Sequence, residues 1–128
     1  MVRLYRSMKE DGQGFPVVAP NARSLGVRPG KDVAAILAGD LVQPLQGGLS
    51  VSTDDPMNLP YYRRPPVLRG TGQDPVWEIE SNQLGPDLDY RPDPAGAGHG
   101  FIEPARGLTL DEYQQALSAT KPMWKKVT

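Results

Sequence analysis

The chain has no cysteine and only one histidine among its 128 residues. Lack of cysteine excludes disulfides, thiolate–zinc sites and a thiol nucleophile. With His99 the lone imidazole, a multi-histidine metal centre of the HExxH kind is excluded, and no metal site is expected. No apolar run reaches the about 18 residues that a spanning helix needs, so no membrane partner is expected. The opening Met1-Val2-Arg3-Leu4-Tyr5-Arg6 lacks the apolar stretch of a secretory leader. That points to the cytoplasm, with export by a route that cleaves no leader left open. The phosphate loop GxxxxGK[ST], the GxGxxG turn and the GxSxG elbow are all missing, which removes the common nucleotide-hydrolase and serine-hydrolase templates. Charge of one sign is scarce too. Residues 1–64 carry eight basic and six acidic side chains, residues 65–128 six and nine, for a net charge of -1. Nucleic acid is therefore not an expected partner, because duplex binding needs a cationic face.

Glycine and proline are abundant, with 14 of each. Their combined share is nearly twice the usual value of about 12%. Both residues break helix interiors, so a helical bundle or coiled coil is excluded. The 38% apolar content is still enough for a core, since a chain of this length buries roughly two-thirds of its unfolded surface. A single domain over 1–128 with long ordered loops is expected.

Along the chain, Val2–Met8 reads as a first strand, with Val2, Leu4 and Arg6 on one face. Pro16-Val17-Val18 suggests a short strand within a Gly/Pro-rich stretch. Asp32–Ala38 suggests two helical turns, with Asp32 as cap and Gly39 as stop. Gly47–Thr53 reads as a strand ended by Asp54-Asp55-Pro56. Val76–Glu80 alternates, with Trp77 and Ile79 on the core side. Residues 84–98 read as loop, and His99–Pro104 as a strand with His99, Phe101 and Glu103 on one face. The strongest helix signal is the capping box of Thr109 and Glu112, followed by the apolar stripe Leu110, Tyr113 and Leu117 up to about Thr120. Met123–Val127 reads as a last strand. The expected class is α+β: a mostly antiparallel mixed sheet with one strong C-terminal helix.

Several polar side chains sit within strands that do not need them: Arg6, Ser50 with Ser52, and His99 with Glu103. On one reading, Arg6 and Glu103 form a structural ion pair in a small non-catalytic interaction domain, and the serines face water. On the other, the set is a site. An arginine holds a diphosphate through bidentate charge-assisted bonds. Serines behind the Gly47-Gly48 pair support a ligand. A carboxylate steadies positive charge at an anomeric carbon. His99 shares the Glu103 face and is placed to contact a ribose. Tyr61 and Tyr62 are candidates for stacking on a nicotinamide or adenine ring, with Arg63 or Arg64 near phosphate.

The order of arginine strand, serine strand and glutamate strand resembles the R-S-E arrangement of ADP-ribosyltransferase-like proteins. Leu4-Tyr5-Arg6 resembles the first-strand arginine motif, and Gly48-Leu49-Ser50-Val51-Ser52 the S-T-S strand with valine at its centre. Phe101-Ile102-Glu103 resembles the strand bearing the catalytic glutamate. The opening Leu-Tyr-Arg and the closing Lys121-Pro122-Met123-Trp124 are similar to small bacterial toxins delivered by type VI secretion. The resemblance implies an ADP-ribosyltransferase-like fold with NAD as substrate. It implies catalytic roles for Glu103, Arg6 and Ser50, and NAD contacts from Arg6, Gly48, Ser50, Ser52, Tyr61 and His99. It also implies an immunity protein as partner. Phe101 stands where many such transferases carry a glutamate or glutamine that engages the acceptor, which argues against transfer to a protein arginine.

Overall fold

The run Arg3-Leu4-Tyr5-Arg6-Ser7, with Leu4 and Tyr5 on opposite faces, makes β1 (Arg3–Ser7), and both of its faces become covered. Leu4 points into the main core, while Tyr5 packs with Leu59 and Val76 on the other face. The computed structural model describes all of residues 1–128. The strands that follow are β2 (Leu41–Val42), β3 (Leu49–Thr53), β4 (Val76–Glu80), β5 (Leu88–Pro92), β6 (His99–Pro104), β7 (Leu108–Thr109) and β8 (Lys125–Lys126), with one helix, α1 (Leu110–Ala119). Six strands form an antiparallel sheet in the order β5-β6-β3-β1-β4-β8, and β2 and β7 form a small second sheet. The class is α+β, as composition and pattern suggested. No helix is long and apolar enough to cross a membrane.

Helix α1 starts where the sequence says it should. The Thr109 hydroxyl accepts from the Glu112 amide at 3.1 Å, and the Glu112 carboxylate accepts from the Thr109 amide at 2.9 Å. Its stripe of Leu110, Tyr113 and Leu117 lies against Leu4, Leu49, Val51, Trp77, Ile79 and Ile102 of the large sheet. Trp124 joins the same core. Tyr113 adds a polar tie: its hydroxyl donates to the Ile102 carbonyl and accepts from the Leu49 amide at 3.1 Å. Burial pushes this phenol above its ordinary range, so it stays a neutral donor. Tyr113→Phe strands two buried backbone groups and is expected to cost about 2 kcal/mol. Thermal melting of the variant, read by circular dichroism, checks this through a lower midpoint.

Four expectations need correction. Asp32–Ala38 is not helical: Asp32 accepts from the Arg28 amide at 2.7 Å and pairs with the Arg28 guanidinium at 2.9 Å. Val33 bridges both Pro29 and Gly47 instead, and Asp40 ties the amides of Ile36 and Leu37 into a turn. Pro16-Val17-Val18 forms only isolated bridges. Residues 84–98 contain the edge strand β5, which pairs with β6 along its whole length. Its alternation is masked by the prolines around it, and Pro92 is tolerated because β5 has no outer neighbour. The last strand shrinks to Lys125–Lys126, paired with Trp77 and Glu78.

Candidate functional site

The site arises from a split in the sheet. β1 and β4 stay in register from Arg3↔Glu80 to Ser7↔Val76, but β1 and β3 pair only at Leu4↔Thr53 and Tyr5↔Ser52. Past Tyr5 the two strands part. A hollow of about 230 Å³ lies there, and Arg6, Ser50, Ser52, His99, Tyr62 and Arg63 line it. Ser52 sits directly across from His99, and Ser50 across from Phe101, so all four side chains share one face. Three strands thus bring Arg6, Ser50, Ser52 and His99 together.

Arg6 fills the gap between the strands. Its Nη1 donates to the Ser50 carbonyl at 2.9 Å, in place of a ladder bond. Its Nε and Nη2 both donate to the Ser24 carbonyl, at 3.2 and 2.9 Å, and Nη2 also reaches the Ala22 carbonyl at 3.4 Å. These four bonds use four of the five guanidinium N–H groups. The bidentate grip on a diphosphate expected of Arg6 is therefore not available, because the backbone already holds the fork. What Arg6 offers is a fixed positive charge and one N–H. Burial pushes its pKa down to about 10, opposed by the negative charge of Asp32, and it remains charged at neutral pH. No carboxylate bonds it. In particular, the expected Arg6–Glu103 ion pair does not form, because Glu103 is engaged elsewhere.

A second guanidinium meets the same carbonyl. Arg63 Nη1 donates to Ala22 O at 3.0 Å, and its other N–H groups carry no protein bond. Arg28 also lines the hollow but is neutralised by Asp32. Tyr62, not Tyr61, forms the aromatic wall. Tyr61 lies outside the hollow and touches the Tyr62 ring edge-on at 6.0 Å. Beyond Tyr62 and Arg63 a second hollow of about 380 Å³ continues toward the Arg23–Asp74 pair and Gln73. The two hollows share the wall made by Ser7, Ala22, Tyr62 and Arg63.

Glu103 and Gly48 sit differently from their expected roles. The Glu103 carboxylate is buried and does not line the hollow. Its Oε2 accepts from the Leu45 amide at 2.8 Å and from Arg91 Nε at 2.9 Å. The Arg91 guanidinium in turn lies 4.8 Å over the Phe101 ring. Gly48 does not line the hollow. A Cβ there would lie 2.7 Å from the Ile102 carbonyl oxygen, and its φ of +146° is a conformation that side chains avoid. The glycine serves the close approach of β6.

His99 is oriented by a residue that sequence reading missed. Its Nδ1 lies 2.9 Å from Asp93 Oδ2, and the other Asp93 oxygen accepts from the Ala95 amide at 2.9 Å. These two bonds, the backbone one first, hold the Asp93 carboxyl below the usual carboxylate range. Phe101 meets the His99 ring edge-on at 5.0 Å and fixes its plane. The only available signal was the turn-forming Asp93-Pro94-Ala95-Gly96, six residues ahead of the histidine. No three acidic or histidine side chains gather to hold a metal ion. Comparison with protein-family models, with curated proteins and with solved structures finds no match.

Proposed function

We propose that the chain is a bacterial toxin with an ADP-ribosyltransferase-like fold that binds NAD in the split of the sheet and breaks its glycosidic bond, cleaving off nicotinamide or transferring the ADP-ribose. One observation carries the reading: a buried guanidinium with no carboxylate partner stands at the wall of a hollow lined by two serines and a histidine. A buried charge without a counter-charge costs several kcal/mol. A diphosphate supplies that counter-charge. Arg63, whose N–H groups are largely free, closes on it, while Arg6 sets the field. Tyr62 offers a ring face to a base. The two hollows on either side of the Arg63 wall, about 230 and 380 Å³, fall near the lower end of ordinary ligand pockets and leave room for the two halves of a dinucleotide. A toxin that destroys NAD also harms its maker, so an immunity protein that neutralises it belongs to the reading.

The burial of Glu103 outside the hollow favours a second reading, in which the same hollow binds a dinucleotide and leaves it intact. Calorimetric titration with NAD and a chromatographic assay for nicotinamide separate the two. The first reading expects saturable binding, nicotinamide release, and arrested growth of bacteria expressing the chain alone. Arg63→Ala is expected to weaken NAD binding roughly 10- to 100-fold, the worth of a charge-assisted hydrogen bond or two. Binding without release favours the second reading. No binding, with unimpaired growth, overturns both.

A further inference from the structure

His99 is the one imidazole in the chain, and its surroundings are those of a base. Its Nδ1 is committed to Asp93 at 2.9 Å. In the tautomer that donates Nδ1–H to that carboxylate, the lone pair resides on Nε2, which bonds no protein group. The ring belongs to the wall of the hollow, with Ser52 directly across the strand pair. The charged groups around it are of both signs. Arg6 from β1, with Arg28 and Arg63 from the flanking loops, lines the same hollow, and Arg91 lies beyond Phe101. Asp93, in the β5–β6 hairpin, touches the ring, and Asp32 pairs with Arg28.

We infer that Asp93 and His99 form a base dyad that takes the proton from a water attacking the ribose of NAD, so that the chain hydrolyses NAD instead of modifying a protein. The inference rests on the NAD reading of the hollow. The bond between the ribose C1′ and the nicotinamide nitrogen breaks, and the electron pair leaves with neutral nicotinamide. The water oxygen bonds to C1′, its proton passes to His99 Nε2, and the proton then returns to solvent. Nothing is oxidised or reduced, and the products are nicotinamide, ADP-ribose and one proton. Glu103 cannot be this base, because its carboxylate is held by Leu45 and Arg91 outside the hollow. Water is the acceptor because Phe101, beside His99, offers no carboxylate or amide to a cationic peptide side chain, and its ring already carries the Arg91 guanidinium.

The test compares wild type, His99→Gln and Asp93→Asn in five measurements: nicotinamide release, NAD affinity by calorimetry, the fate of the ADP-ribose, the rate at which diethyl pyrocarbonate modifies the single histidine, and the melting midpoint. Both variants are expected to lose roughly 100-fold or more in kcat, the usual worth of a general base, with KM and NAD affinity little changed. ADP-ribose is expected free in solution, and it should protect His99 from the reagent. Asp93→Asn is expected to lower kcat with KM and the melting midpoint little changed, a split that a purely structural role for Asp93 would not give. If wild type turns over NAD and both variants match it, the dyad is wrong and the NAD reading stands. If ADP-ribose ends attached to protein, water is the wrong acceptor. If wild type neither binds nor cleaves NAD, the NAD reading fails and the dyad's role falls with it.

Discussion

Glu103→Ala is expected to melt roughly 10 °C below the wild type, a loss of about 3 kcal/mol for a domain of this size. The carboxylate is a structural hub. Its side chain is 7% exposed and that of Arg91 20%, so the pair is screened far less than a surface bridge. Removing the carboxylate strands the Arg91 guanidinium over Phe101 and leaves the Leu45 amide without an acceptor. Leu45 holds a φ of +70°, a left-handed conformation that costs about 1 kcal/mol for a residue with a Cβ. The bond to Glu103 helps offset that strain, so the loop before Gly47 is expected to loosen with it. Glu103→Gln keeps an acceptor for Leu45 and loses only the charge pairing, about 1 kcal/mol. Melting curves of both variants and of Arg91→Ala check the ordering, and the double variant with Arg91→Ala isolates the pair. Under the proposed reading, the same measurements decide what a loss of activity in Glu103→Ala means. An inactive Glu103→Ala protein that melts early reports a damaged wall of the site. One that melts like wild type and releases no nicotinamide would show that Glu103 reaches the substrate directly, against the arrangement seen here.

What could be read from the sequence follows from how local each determinant is. Val76–Glu80 announces itself by period-two alternation, and α1 by a capping box that closes within four residues. Arg6, Ser50, Ser52 and His99 were legible as polar side chains placed within strands. The rest depends on partners distant in the chain. Asp32 carries an N-cap signature, yet its carboxylate turns back to Arg28, and Val33 is claimed by Gly47. Which of Tyr61 and Tyr62 faces inward is set by a loop whose carbonyls take up Gly70 and Gly72 in close contact. Whether Glu103 meets Arg6 or Arg91 is decided by the hairpin between β5 and β6, and β5 itself was hidden by its prolines. The same hairpin turns Asp93 toward His99.

Arg6→Lys is expected to disable the site although it preserves the charge. An ammonium is a point donor at the end of a flexible stem, whereas the guanidinium fork bonds the carbonyls of Ala22, Ser24 and Ser50 at once. Lysine can satisfy about one of these, so two carbonyls at the mouth of the split lose their donors, at a cost of about 2 kcal/mol. Arg6→Met loses all of them but also removes a buried charge that has no counter-ion, and the two effects partly cancel. The ligand-free melting points therefore rank poorly with function, and the shift on adding ligand is the decisive quantity. A ligand at a hundred times its dissociation constant stabilises the folded state by about 2.7 kcal/mol. Wild type is expected to show that gain with ADP-ribose, Arg6→Lys a small fraction of it, and Arg6→Met none. Inorganic diphosphate is expected to give the same ranking at higher concentration, because the anion, not the nucleoside, meets the guanidinium. Equal shifts in all three proteins would mean that the negative charge of the ligand lies away from β1, and that Arg6 only ties the 21–24 turn to β3.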